Sequence, residues 1–411
     1  MKYLPLRIVE SLLSIFLIIG CASIYVHGDE IIKSAINIGV FLLIILLSCI
    51  SFYLLSVEHK LTYKWLVLWF SYFIFFLIPF TLLNNLNYPM GNFFVLQFSL
   101  LPGLVFYFQF CRTVGNPWAL MLKIDKFINV VAIISLIFWI LFSILHISLP
   151  TGTIVIDWGP RRLIPSFYGI YFETQPVNFY GLSIIRNTAF FTEGPMYAFI
   201  LSISLISRIF LFNKSIKSSF LIILTMLTTV TSTSLVVIGL TLFFKYLKDG
   251  KRPSVNTFKK ILLPFVSIIL LIFVAFILEQ KTKGGESFGI RMDDIHAAFL
   301  TWKSHPFVGN GIGNFQSLIN NMNSFRIQFK SPIEIGFSSG LFQVFALGGI
   351  FLTIIYIYPF VAFSVRQYKQ IGIFSIAFPI ILLIIFTFSI ISYEWLFLII
   401  LAMLYTNSLR N

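Results

Sequence analysis

The sequence predicts an all-α polytopic membrane protein of about ten to twelve transmembrane helices, on three observations. Hydrophobic residues make up 58% of the 411 positions and charged residues 11%, whereas a soluble domain is about 25% charged. Mean hydropathy is +0.94. Apolar runs recur along the whole chain, and basic residues gather in the short segments between them. Too little polar surface exists to clothe a soluble fold, which excludes a cytosolic nucleotide-binding enzyme, a disulfide scaffold and a disordered chain. The net charge of +14 follows the loop pattern by which membrane proteins set orientation and does not point to nucleic acid. Cys21, Cys49 and Cys111 lie in or beside apolar runs with no metal spacing and read as small core residues. Lys2 and Arg7 precede the first run without a clear cleavage site, so that run is expected to stay as a span.

Candidate spans fall at 11–26, 35–55, 65–83, 93–110, 127–149, 194–212, 261–278, 336–363, 373–391 and 393–407. With a cytoplasmic N-terminus, both flanks of a further run, 219–244, are basic: Arg208, Lys214 and Lys217 before it, and six Lys or Arg in 245–260 after it. Twenty-six residues cannot cross twice, since two crossings need about 40. A broken or re-entrant pair reconciles the two flanks, with the break at 228–234, where Thr and Ser hydroxyls can satisfy freed backbone groups. The other reading is one tilted span with a basic exterior loop. The broken pair puts 19 basic residues inside and 10 outside, against 4 and 11 acids. The chain then divides into N-terminal membrane helices (1–149), a first extracytoplasmic loop (150–193), central helices (194–278), a second extracytoplasmic loop (279–335) and C-terminal helices (336–411).

The two long loops hold the residues capable of chemistry. The first carries Arg161, Arg162 and Glu173, and closes as Arg186-Asn187-Thr188-Ala189-Phe190-Phe191-Thr192-Glu193-Gly194-Pro195. Pro195 suits a first helical turn and Thr192 an N-cap. A helix N-terminus beside Arg186 suits an anion, especially a phosphate; otherwise Arg186 snorkels and Glu193 caps the helix. In the second loop, Ile295, Ala298, Phe299 and Trp302 have the spacing of an amphipathic helix on the membrane. His305-Pro306-Phe307-Val308-Gly309-Asn310-Gly311-Ile312-Gly313 follows. Gly309, Gly311 and Gly313 permit close backbone approach to a ligand. His305 can exchange a proton near neutral pH, or cap a helix C-terminus. Asp293-Asp294 has no completing ligands, and the loops show no HExxH, CxxC or Walker signature. The chemistry is therefore expected to use no metal and no cofactor, with arginines neutralising anionic charge.

The stretch from Arg186 to Pro195, and Arg291 followed by His305 through Phe315, resemble two motifs of the bacterial O-antigen polymerase and O-antigen ligase superfamily. The run 340–349 resembles the span that follows them, and the resemblance is strongest over 181–350. Gly194 here separates Glu193 from Pro195, which many relatives have adjacent. The resemblance implies a GT-C-like membrane glycosyltransferase of the bacterial cytoplasmic membrane, with its site facing outside. Its donor would be an oligosaccharide on a polyprenyl diphosphate, and its partners the lipid bilayer and two components of the same pathway, a flippase and a chain-length regulator. It implies catalytic roles for Arg186 and Arg291 on the diphosphate and for His305 on the acceptor hydroxyl. Arg161, Arg162, Glu193 and the three glycines would contact substrate. Polymerisation of repeat units is the first expectation, supported by the aromatic run Phe167, Tyr168, Tyr171, Phe172, Phe179 and Tyr180, which could stack on sugars. A ligase differs only in acceptor. A flippase or other transporter would need ionisable groups deep in its spans or a repeated half-structure, and neither is evident.

Overall fold

The computed structural model describes residues 3–58, 67, 71, 101–158, 161–179, 182–249, 286–327, 335–371 and 376–408. The expected span at 261–278, that at 65–83 apart from residues 67 and 71, the first part (93–100) of that at 93–110, and the basic segment 250–260 lie outside the described residues. Elsewhere the apolar runs are helices: α1 (Leu4–Gly20), a short α2 (Ile24–Gly28), α3 (Glu30–Val57), α4 (Leu101–Thr113) and α5 (Ala119–Phe138), which continues as a π turn to Ile144. Among the described residues, four helical stretches are long and apolar enough to cross a membrane: Glu30–Val57, Ala119–Ile144, Gly194–Leu211 and Gly340–Lys369. Cys21 and Cys111 are buried as expected, but Cys49 is exposed on α3, on a helix whose outer face is apolar.

The first loop corrects the all-α expectation. It folds as two small antiparallel sheets: β1 (Gly152–Ile156), β2 (Arg162–Phe167) and β3 (Tyr171–Phe172) in that order, then a hairpin of β4 (Pro176–Phe179) and β5 (Leu182–Ile185). The signal was present in Thr153-Ile154-Val155-Ile156, a β-branched run too short for a helix. The aromatics expected to stack on sugars are mostly the core of this lobe. Phe167, Tyr171 and Phe172 are buried, with Phe167 stacked on Phe142 of α5. Tyr168 is exposed; Tyr180 and the side chain of Phe179 lie outside the described residues.

After the hairpin come α6 (Gly194–Ile206, continuing to Leu211), α7 (Phe220–Thr228) and α8 (Ser232–Asp249). The run 219–244 is thus broken where the hydroxyl cluster predicts, at 229–231, into one short helix and one longer than expected. Val230 turns the chain with φ +47, a conformation rare for a β-branched residue. Hydroxyls clasp it: Thr229 Oγ1 donates to the Met226 carbonyl at 2.7 Å, and Thr231 Oγ1 caps α8 by accepting from the Ser234 amide at 3.2 Å.

The second loop begins with α9 (Glu286–Ser304), and short helices α10 (Phe315–Ile319) and α11 (Ser324–Ile327) follow. The face of α9 that packs into the protein is more polar than the apolar stripe read from its sequence, of which it takes in Ala298. Asp293, Asp294, Ala297, Ala298 and Thr301 are buried, while Phe299 is exposed. Two carboxylates can be buried because Arg326 sits on both: its Nη1 is 3.1 Å from Asp293 Oδ2 and contacts Asp294 Oδ1. The Asn323 amide also serves Asp293, and the Ser338 amide and hydroxyl serve Asp294.

The C-terminal helices are α12 (Gly340–Ile371), α13 (Ala377–Phe388) and α14 (Trp395–Ser408). α12 is interrupted at Gly349, with φ +64 and ψ −166. The loop after α9 enters that interruption. Asn310 and Gly311 amides donate to the Ala346 and Leu347 carbonyls at 3.2 and 3.1 Å, and Ile350 and Phe351 amides donate to Pro306 and Phe307 at 3.0 and 3.1 Å. Four backbone groups orphaned by the break are thereby satisfied. Gly309 is required here: φ is +75, and a Cβ would lie 2.3 Å from the Leu347 backbone. Gly313 shares the left-handed backbone, at φ +89, but a Cβ would meet nothing within 4 Å. Gly309→Ala is therefore expected to cost roughly 2–5 kcal/mol, combining backbone strain with overlap, and Gly313→Ala only roughly 1–2 kcal/mol. Thermal unfolding of the purified variants checks this, and equal melting temperatures would contradict it.

Candidate functional site

Three segments meet where the first loop returns to the helices. The hairpin register brings Gln175 opposite Arg186, whose amide donates to the Gln175 carbonyl at 3.1 Å. The Gln175 side-chain oxygen then accepts from Arg186 Nη1 at 3.3 Å and from the Gly194 amide at 3.2 Å. The start of α6 is thus capped from across the hairpin. The cap expected from Thr192 does not form: Glu193 is the N-cap residue and makes no capping bond, while Thr192 donates through its amide and hydroxyl to the Ala22 carbonyl.

The broken helix pair supplies the floor. Asn187 donates its amide to the Thr228 carbonyl at 3.0 Å, and its side chain reaches Thr228 Oγ1 and Ser135 Oγ at 3.1 and 3.3 Å. Gly194 packs so closely that an added Cβ would sit 3.1 to 3.3 Å from Thr231, the Thr229 carbonyl and the Arg186 side chain. Arg186 is therefore fixed along its length between a hairpin, a helix start and a helix break.

Electrostatically the cluster is Arg162, Arg186 and Glu193. Glu193 lies in the field of both arginines and accepts from the Trp158 indole. Burial raises the Glu193 pKa above the usual carboxylate range, against the pull of Trp158 and the two cations. Burial likewise lowers that of Arg186, with Glu193 opposing. Arg162 Nη2 donates to the Thr192 carbonyl at 3.3 Å. Among the described residues, the Nε atoms of both Arg162 and Arg186 are buried with no hydrogen-bond partner. An unmet buried N–H on a cation is costly, and an anion with several acceptor oxygens would satisfy it. Beneath Trp158 lies His27, ring centroids 4.5 Å apart. Burial, then Lys33, pushes His27 down to about 4, so it adds no charge at neutral pH.

The remaining sequence-predicted residues lie elsewhere. Arg161 is exposed and 3.8 Å from an equally exposed Asp157. Arg291 is half-buried over the Phe388 ring at 5.6 Å. Burial lowers its pKa and Asp294 opposes. His305 follows the other end of α9, fourteen residues on, or about 20 Å at a helical rise of 1.5 Å. Arg291 and His305 therefore cannot touch one reacting atom. His305 is exposed, with Nδ1 2.9 Å from Asn310 Oδ1. The Asn310 amide is oriented by Nδ2 donating to the Thr301 carbonyl at 2.5 Å, so Nδ1 carries the hydrogen and Nε2 is the acceptor. Gly309 and Gly311 lie against the backbone of α12, and Gly313 is exposed. Gln175 and Trp158 were not singled out by the sequence, because strand register, not spacing, brings them in.

No family model and no curated protein matches the chain. The arrangement is that of a mostly helical protein with helices long and apolar enough to cross a membrane, and a buried arginine pair countered by one carboxylate.

Ionised Glu193 competes with any anion for the two guanidiniums. Binding of inorganic diphosphate is thus expected to weaken as pH rises through the raised Glu193 pKa. Glu193→Gln should bind more tightly and lose that part of the pH dependence, leaving the ligand's own titration. Calorimetry on both proteins checks this, and superimposable pH profiles would contradict it.

Proposed function

We propose that the chain is a membrane glycosyltransferase that polymerises polyprenyl-diphosphate-linked oligosaccharide repeat units on the outer face of the bacterial cytoplasmic membrane. The product is an O-antigen, capsular polysaccharide or exopolysaccharide. The observation that carries this reading is the Arg162–Arg186 pair with its unmet Nε–H groups beside the start of a span-length helix. A diphosphate offers several oxygens to such a pair, and a lipid-borne one arrives at membrane depth.

In the reaction, the acceptor hydroxyl oxygen bonds to the donor's anomeric carbon while the bond from that carbon to the diphosphate oxygen breaks. Negative charge grows on the departing diphosphate, where preorganised guanidiniums stabilise the transition state more than the ground state. The acceptor proton passes to a base, and His305, whose Nδ1 is held by Asn310 outside the arginine cluster, keeps that role as the resemblance implies it. Arg291, a helix length from His305, serves a different part of the substrate from the one that His305 touches. On the diphosphate, Arg162 takes the place that the resemblance gave to Arg291 as the partner of Arg186.

Turnover of a lipid-linked repeat unit by the purified chain tests this, with excess chelator present. Arg186→Ala and Arg162→Ala should each cost about 2–4 kcal/mol of transition-state stabilisation, and Arg186→Lys should recover only part, lacking the planar fork. His305→Ala should slow transfer with donor binding retained. Unchanged turnover in both arginine variants would reject the site. Elongation of the repeat unit supports a polymerase, whereas transfer only to a different acceptor supports a ligase.

A further inference from the structure

We propose that the three-stranded lobe β1–β3 is seated in the lipid interface, with its outer face against the leaflet. The first observation is continuity. On α5, Val130, Ile133, Ile137, Ile140 and Ile144 form an exposed apolar stripe at helical spacing. It does not stop where the helix stops. Leu145, Ile147 and Leu149 extend it, Leu149 being 86% exposed, and the cross-strand pair Val155 and Leu163 carries it onto the sheet, Leu163 being 67% exposed.

Charge gives the second observation. From 127 to 156 the chain has no Asp, Glu, Lys or Arg. A span needs about 20 such residues, so the charge-free stretch continues through β1. Exposed apolar surface of this continuity on a water-facing lobe would be an aggregation liability, and it is what a membrane contact looks like.

The third is a set of aromatic side chains with polar ends at the lobe and beside it. Trp139 donates to the Ile185 carbonyl at 2.8 Å, Tyr25 donates to the Gly169 carbonyl at 2.6 Å, and Tyr168 is exposed at the β2–β3 turn. Such residues favour the headgroup level. Unpaired strand edges cannot enter hydrocarbon, so the lobe lies at headgroup depth with its apolar face reaching about 5–10 Å inward, as interfacial elements do. The strand alternation then has a consequence that rests on the proposed function. Leu163 faces the lipid, and neighbouring Arg162 faces inward to Glu193. A lipid-borne diphosphate therefore reaches the arginine pair sideways from the leaflet.

The test uses the full chain in lipid nanodiscs without donor, so its outcome is independent of activity. Cys21, Cys49 and Cys111 are replaced by Ala, and a bimane fluorophore is attached at Leu149→Cys, Leu163→Cys or, as the water-facing reference, Arg161→Cys. Labels at 149 and 163 are expected to emit to the blue of that at 161. Doxyl groups on shallow acyl positions should quench them, and aqueous iodide should not; the label at 161 should behave in the opposite way. Iodide quenching at either 149 or 163 equal to that at 161 would overturn the proposal. Ile147→Cys and Tyr168→Cys replace Leu149→Cys or Leu163→Cys, and the exposed Asp157→Cys replaces Arg161→Cys, where a variant fails to elute as a folded monodisperse protein, with the same two outcomes.

Discussion

A helix interrupted inside an apolar protein leaves amide and carbonyl groups that water cannot reach, and each must find a partner. The helices of this chain break at 229–231 and at Gly349. Each break is closed by a loop from outside the helices. Asn187 bonds the Thr228 carbonyl at the first break, and the segment from Pro306 to Gly311 exchanges four backbone bonds at the second. The two closing loops are the two stretches whose residue types suggested chemistry. Their small and hydrogen-bonding residues are thus needed for architecture first, and the chemistry is built on what architecture leaves free.

That dependence explains the arrangement of charge. Arg186 follows a hairpin on one side and leads into the Asn187 anchor on the other, so its guanidinium is positioned by backbone bonds and not by an ion pair alone. Glu193, poised at the start of α6, is shared between Arg186 and Arg162. Among the other described residues the buried cations are paired: Arg326 with Asp293 and Asp294, and Arg208 with Asp125 at 2.5 Å and Asn129 at 2.9 Å. Those ion networks fix elements in place, since breaking such a buried pair costs about 3–5 kcal/mol. The Arg162–Arg186 pair differs in keeping buried N–H groups unmet, which is why it reads as a binding site.

Helices and the first break were legible because long apolar runs and a Thr/Ser cluster report locally on the backbone. The strand lobe was not, because its strands are two to six residues long and sat inside a stretch read as loop. Nor was the buried face of α9. Asp293 and Asp294 look solvent-facing until Arg326, more than thirty residues later in the chain, is brought onto them. Of the candidate site, Arg162, Arg186 and Glu193 converge, and the helix rise separates Arg291 from His305. Gly309 was legible as a close approach but not as an approach to another helix. Gln175 carries no local signal, since its role comes from pairing register.

The central claim is that the arginine pair holds a lipid-borne diphosphate. Binding of a sugar-free polyprenyl diphosphate to the folded chain in nanodiscs, followed by native mass spectrometry, tests it most directly. Saturable binding is expected for the unmodified chain and for His305→Ala, and loss of that binding is expected for the doubly substituted Arg162→Ala, Arg186→Ala protein. Equal binding by the double variant and the unmodified chain would contradict the account.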